Sequence, residues 1–281
     1  MDNVTRKYIP SNLLTKEYGN LIEFKIPEES LIDVCKNLYF NHQLPLKIIT
    51  AFDQRKESDC FKIMYVFAVP LENIFIVPYV LVKNSFPSIT RAIHEASTYE
   101  RKIMTFFGLN PQGHPNLRTL ILHENWPDNV FPLRKDFPWN ERPEKASGKF
   151  EFRKITGEGI YEIPVGPVHA GIIEPGHFRF SVLGEEILWL EPRLGYSHKG
   201  SEKLFETLSL EKSLEMSERI SGDSSFNHSL AFCQAIENSS DMKVLEKSKY
   251  LRVVFAELER LANHFGDIGA IMLDTGFNFG G

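Results

Sequence analysis

The run GIIEPGHFRF sets a carboxylate, an imidazole and a guanidinium close together, as Glu174, His177 and Arg179. Carboxylates and imidazoles are the side chains most often used to hand protons to a reacting group, so Glu174 and His177 form a candidate proton-transfer pair. His169, in the preceding GPVH, supplies another imidazole. Taken alone, the pair reads more simply as an exposed turn, and Arg179 reads equally well as half of a surface salt bridge. A further polar group lies in RISGDSSFNHSLAFCQAIE, residues 219–237, which carries Ser221, Asp223, Ser224, Asn227 and His228. The three cysteines, Cys35, Cys60 and Cys233, are widely spaced and form no C-x-x-C pair. An odd count without pattern argues against a disulfide framework and against a zinc or iron–sulfur site completed by this chain. Reduced thiols in a cytoplasmic setting are the simpler reading.

Composition bounds what can position these groups. The chain has 281 residues, 42% hydrophobic and 25% charged, enough for about two packed domains. A formal net charge of -5 offers no basic footprint for nucleic acid. The start MDNVTRKYIPSNLL lacks the apolar core of a signal peptide. The most apolar stretch, Phe61 to Val82, is interrupted by Lys62, Pro70, Glu72, Asn73 and Pro78. A spanning helix needs ~20 mostly apolar residues. The chain is therefore expected to be soluble and, at most, to dock on a membrane protein.

The first half reads as mixed strand and helix. Leu21–Ile26 and Leu46–Phe52 are short β-rich runs, and Phe61–Val69 and Ile74–Val82 read as a hairpin around Pro70–Asn73. Glu28–Phe40 reads as a helix with Leu31, Val34, Cys35 and Leu38 on one face. Ser88 is expected to cap a helix carrying Ile89, Ala92, Ile93 and Ala96, with Gly108 as its stop. Pro132 to Gly159 is rich in Pro, Lys, Glu and Arg, and a domain boundary is expected within it. The expected division is 1–140, a linker over 141–158, and 159–281. The second half begins with strands, HFRFSVL and EILWLEP turning at Gly184–Glu185. Helices are then expected over Glu202–Leu208, Glu211–Ile220, Ser225–Ile236 and Lys243–Ile268, the last burying one broad apolar stripe.

Two sets of motifs carry a resemblance. YERKIMTFFGL, GHPNLRTLIL, ENW and PLRKDFP, within residues 99–138, resemble the signature of the small peripheral-arm subunit of respiratory complex I, the bacterial C-type component. That signature reads E-R-E-x-x-D-x-F-G, G-H-P-x-L-R-R, an acidic segment ending in W, and P-L-R-K-D. Lys102, Thr105 and Thr119 depart from it. VGPVHAGIIEPGHFRF, GYSHKGSEKLFE, RISGDSSFNHSLAFCQAIE and ELERLANHFGDIGA resemble, in order, the large subunit shared by membrane-bound nickel–iron hydrogenases (formate hydrogenlyase type) and complex I, the bacterial D-type component. The implied fold class is α+β: an α/β sandwich of the small-subunit type, then a strand-led, mainly helical domain of the large-subunit type.

The resemblance implies roles for single residues. In hydrogenases the segment around Glu174 places a carboxylate beside the metal as a proton relay. In complex I a histidine of this turn faces the quinone headgroup, which implies His177 or His169 here. Arg179 matches an arginine near an iron–sulfur cluster of a neighbouring subunit, where its charge would raise the cluster's potential. The first nickel-binding cysteines of hydrogenases are replaced by Ser221 and Ser224, and a neutral hydroxyl is a poor substitute for thiolate. The complex I tyrosine that bonds the quinone carbonyl corresponds to Gly222, leaving Asp223 or Ser224 as the nearest substitute donor. The GYSHKGSEK turn is implied to be architecture. Glu257, Arg260 and His264 share one helix face and are implied to pack on a partner subunit.

The implied whole is an oxidoreductase subunit of a quinone-reducing or hydrogenase-like complex. It carries no redox centre of its own and is active only when assembled. Its partners are an iron–sulfur subunit, other peripheral-arm and membrane subunits, and a quinone, with NADH bound elsewhere in the complex. It would sit in the cytoplasm on the inner face of the membrane. The alternative is a scaffold that kept docking surfaces after losing the nickel ligands. Large subunits of the family continue past the DTGFNFGG ending, so the chain is expected to be a fragment.

Overall fold

The computed structural model describes residues 7–168, 174–240 and 242–279. By backbone contact it divides into two compact units, one running to Lys16 and from Leu21 to Lys199, the other comprising Glu17–Asn20 and the chain from Gly200 onward. The units therefore part at residues 199/200, beyond the expected linker. The three strands that follow the linker belong to the first unit, because their ends are tied to it: Arg193 pairs with Glu124, and His123 Nε2 donates to the Leu194 carbonyl at 2.8 Å.

β1 (Thr15–Tyr18), which straddles the division, and β2 (Leu21–Lys25) are followed by a 3-10 turn that runs into α1 (Leu31–Lys36). β3 (Leu46–Gln54), β4 (Cys60–Val69) and β5 (Ile74–Val82) complete a five-stranded sheet of order β1-β2-β5-β4-β3. The expected hairpin is present, with β4 antiparallel to both β5 and β3, while β2 runs parallel to β5. The cause is visible in β4, where every second side chain, Phe61, Ile63, Tyr65, Phe67 and Val69, is buried. That face packs into one core with Phe24, Leu31, Cys35, Leu38 and Phe106. β6 (Ser85–Pro87) lies parallel to β7 (Asn110–Gln112), with α2 (Ala96–Phe107) between them.

Helix α2 begins at Ala96 and not at Ser88. Ser88 does not cap a helix because a stronger partner takes it. Glu100, fully buried on α2, accepts hydrogen bonds from Ser88 Oγ, from the Ile89 N–H at 2.7 Å and from Thr90 Oγ1 at 2.6 Å. Burial pushes the Glu100 carboxyl up, and these donors and His114 oppose it. The stop at Gly108 is as expected. Its φ is +72, and an added Cβ would lie 2.5 Å from Phe131, so only glycine fits.

The motif residues of 99–138 act largely as internal ties. Arg101 donates to the carbonyls of Arg118 and Thr119. Thr105 Oγ1 donates to the Arg101 carbonyl and accepts from the Leu120 N–H at 3.0 Å, so the departure from Asp at this position keeps a helix-to-loop link. Arg134 Nε donates to the Phe107 carbonyl. The PLRKDFP turn is pinned to the end of β3: the Lys135 N–H donates to Asp53, and Arg55 bridges Asp53 and Asp136 at 2.6 and 2.7 Å.

The linker leads to β8 (Ile160–Val168), β9 (Gly176–Leu183) and β10 (Glu186–Arg193), an antiparallel sheet of order β10-β9-β8. The second unit holds α3 (Ser201–Phe205), α4 (Leu210–Ser217), α5 (Ser225–Ser239) and α6 (Glu246–Asp274). The expected burial of an apolar stripe on α6 is not found. None of its residues is buried, and Phe255 and Phe265 are 50% and 71% exposed. Periodicity identifies the apolar face of a helix but not whether anything covers it. Among the described residues, no helix is long and apolar enough to cross a membrane.

Two measurements check this wiring. Glu100→Ala leaves three buried donors without a partner, so urea unfolding of the chain should show a loss of roughly 3 kcal/mol. A loss under about 1 kcal/mol would refute its role. Burial alone would raise the Asp53 carboxyl, but hydrogen bonds from Arg55 and the Lys135 N–H, with the charge of Arg55, outweigh it and hold it at about 2. A pKa depressed in the folded state stabilises above the unfolded value, near ~4, and that gain fades as pH falls toward 2. Asp53→Asn should therefore remove about 2 kcal/mol at neutral pH and flatten the stability curve between about pH 4 and 2. An unchanged curve would refute the assignment.

Candidate functional site

The sequence-derived site residues fall in separate places. Glu174, His177 and Arg179 belong to the first unit, Ser221, Asp223 and Ser224 to the second. His169 lies outside the described residues.

β9 is the middle strand of its sheet, and strand alternation puts His177, Arg179 and Ser181 on one face. The opposed residues are Arg193, Glu191 and Trp189 of β10. The coil residues Phe150 to Arg153 cross this face as a strap. The Phe152 ring lies 5.1 Å from that of His177 and 4.0 Å from the Arg179 guanidinium. The Arg153 N–H donates to Glu191 at 3.0 Å, and Arg193 covers the ring of Phe150.

His177 is buried, and its Nδ1 lies 3.0 Å from the Gly166 carbonyl. A carbonyl only accepts, so Nδ1 carries the proton and Nε2 of the neutral ring is a bare acceptor. That Nε2 has no hydrogen-bond partner among the described residues, and neither do Arg179 Nε and Ser181 Oγ. A buried polar atom left unmet costs about 1–3 kcal/mol, and these three atoms share one strand face. The rest of Arg179 is engaged, with Nη1 3.3 Å from Glu162. Glu174 is exposed and accepts a hydrogen bond from Ser197 Oγ, so its partner is the GYSHKGSEK turn and not His177. That turn packs by His198 against Phe106 of α2 and by Tyr196 against His123, in keeping with an architectural part.

In the second unit, Ser221 precedes a 3-10 turn, Gly222–Ser224, that leads into α5. The face of α6 that holds this loop is a different one from that of Glu257, Arg260 and His264. Glu257 and Arg260 pair with each other on the exposed surface. Glu259 instead accepts from the N–H groups of Phe226 and Asn227 at 2.7 and 3.0 Å, a carboxylate at the positive end of α5. Asn263 Nδ2 donates to the Asp223 carbonyl at 2.8 Å. Glu259 and Asn263 stand four apart in ELERLANHF, a signal legible in the sequence but masked by Glu257 and Arg260, which also share a helix face at a spacing of three. The Asp223 side chain is exposed, while His228 borders a cleft with Phe205, Ser217 and Phe232. Hydroxyl groups at 221 and 224 do not fit nickel, which needs soft thiolates in a site of this type. No cluster of three His, Cys, Asp or Glu among the described residues could hold a metal ion.

Residues 24–143, which carry the sheet, α2 and the wiring of the PLRKDFP turn, match the family model described as respiratory-chain NADH dehydrogenase, 30 kDa subunit. This segment of the chain is similar to that family. The likeness extends past the 30 kDa domain. Hydrogenase-4 component G of Escherichia coli is 35% identical over 259 residues, covering 88% of this chain and 47% of that protein. Formate hydrogenlyase subunit 5 of Escherichia coli is 34% identical, covering 89% of this chain and 46% of that protein. The fused C/D subunit of the NADH-quinone oxidoreductase of Phocaeicola vulgatus is 29% identical over 212 residues, covering 69% and 40%. The chain thus spans about half the length of the curated relatives it matches. The 30 kDa domain is followed, as in the fused C/D subunits, by a segment homologous to the hydrogenase and complex I relatives.

A Cβ added at Gly222 meets nothing within 4 Å. The fold thus leaves room for the first side-chain atom of the tyrosine that the complex I resemblance places here. Gly222→Tyr should leave urea unfolding within about 0.5 kcal/mol of the parent chain. A loss above about 2 kcal/mol would mean the loop is shaped around glycine.

Proposed function

We propose that the chain is a peripheral-arm subunit of a membrane-associated quinone oxidoreductase or hydrogenase-like complex, on the cytoplasmic face of the membrane, in which a partner's iron–sulfur cluster delivers electrons near β9 to quinone or protons. The observation that carries this reading is the His177 ring, anchored at Nδ1 by the Gly166 carbonyl and with its buried Nε2 unengaged by any described residue. A proton taken up at Nε2 makes an imidazolium whose Nε2–H points the same way, so one fixed ring can accept a proton and then give it up. Reducing a quinone to the quinol takes two electrons and two protons, which makes a buried, oriented donor useful there. Glu174, exposed and held by Ser197, suits the role of bringing protons from solvent. Arg179 sets a positive charge on the same face, and such a charge near a cluster raises its potential.

In the purified native complex, His177→Ala and Glu174→Gln should each lower inhibitor-sensitive quinone reduction, or hydrogen evolution, with the first losing about a hundredfold. Full activity of both variants in a complex of normal composition would favour the scaffold reading, which the hydroxyls at Ser221 and Ser224 support.

A further inference from the structure

The first unit contains a half-open cleft of about 490 Å³ near α2 and the end of β10, lined among others by Arg101, Arg118, Phe150, Pro192, Arg193 and Leu194. We propose that this cleft docks an acidic segment of a partner protein, gripped by Arg101 and Arg118. The inference rests on the peripheral-arm reading above.

Arg193 is already neutralised by Glu124. Arg101 and Arg118 are not. Arg101 donates from Nε to the Arg118 carbonyl at 2.7 Å and from Nη2 to the Thr119 carbonyl at 2.9 Å. Arg118 donates from Nε to Asn116 Oδ1 at 3.1 Å. These are neutral acceptors, and no carboxylate lies within ion-pair distance of either guanidinium among the described residues. Nη1 of Arg101 and both terminal nitrogens of Arg118 remain uncommitted, and a guanidinium fork is matched to carboxylate geometry. The two cations also stand close enough to repel. Burial first, and then the charge of Arg118, push Arg101 down from its ordinary value.

A chain of net charge -5 that nonetheless holds two unbalanced arginines side by side has a local field opposite to its own average. An incoming carboxylate would relieve the repulsion and fill the open donor positions at once. The apolar floor of Phe150, Pro192 and Leu194 suits the aliphatic stems and neighbouring side chains of a peptide better than a bare inorganic anion. The ties from Arg101 to residues 118 and 119 also hold the Arg118 loop in place, so the pair is preorganised and little ordering is left for docking.

The test uses the complex co-expressed with its other subunits and purified through a tag on this chain across a sodium chloride series. Arg118→Glu is the informative variant, because Arg118 is exposed and its side chain's hydrogen bond is to Asn116 alone, so folding should be unaffected; its unfolding midpoint is the control. The expected result is about tenfold less of one particular subunit retained at moderate salt, with Arg118→Lys intermediate. In the Arg118→Lys complex, a zero-length carbodiimide cross-link from position 118 to an Asp or Glu of that same subunit should then appear. Equal retention of every subunit by Arg118→Glu at all salt concentrations would overturn the inference, as would cross-links confined to this chain. Loss of binding to phosphatidylglycerol vesicles, with the protein composition unchanged, would also overturn it and assign the arginines to lipid. A wild-type chain that brings down no other subunit fails the peripheral-arm reading itself, and the inference with it.

Discussion

The buried carboxylate of Glu100 is the contact on which the first unit turns. It sits in the core on α2 and has no access to water, so its charge or its proton must be met by protein. It is met by consecutive residues, Ser88, Ile89 and Thr90, whose donors can reach it only if that segment bends back over the helix. The bend fixes where β6 ends and delays the start of α2. With α2 so placed, its next residue, Arg101, reaches the 118–119 loop, Thr105 reaches Leu120, and the carbonyl of Phe107 meets Arg134. Each tie uses a polar group that the turn before has aimed. The motifs that marked the family are, in this part of the chain, chiefly the means by which a helix and a long loop without regular structure are held to a sheet.

That account explains which features were legible in the sequence. The hairpin β4–β5 was legible because alternation and turn composition are local facts, and the helix stop at Gly108 because only glycine tolerates its backbone. Ser88 looked like a helix cap for an equally local reason, and failed because Glu100, twelve residues on, competes for its hydroxyl. The motif residues of PLRKDFP read as a solvated charged turn when taken alone, since the sequence does not show that Asp53 and Arg55 lie beneath it. At the candidate site, His177 could be picked out by type and context. Its tautomer, its bare Nε2 and the Phe150–Arg153 strap depend on contacts across the sheet and on the linker, where no periodic signal exists. The choice of Glu259 over Glu257 at the loop before α5 is of the same kind, because both satisfy helical spacing and only the partner decides.

The three-stranded sheet inverts the usual arrangement of a free-standing domain. On β9 the polar residues His177 and Ser181 are buried, while Phe178 and Phe180, which alternation puts on the opposite face, are only half-buried. Their cross-strand neighbours Ile163, Val165 and Leu190 are exposed. Water would not select this distribution, since orphaned polar atoms and open apolar surface both cost free energy. Long exposed apolar surface recurs along α6. Exposed apolar patches of this kind commonly mark interaction surfaces. The same three strands thus carry two unlike faces, one apolar and open, the other polar with His177 and Ser181 buried. Under the proposed function, a substrate or a water meeting Nε2 would offset the cost of burying that atom.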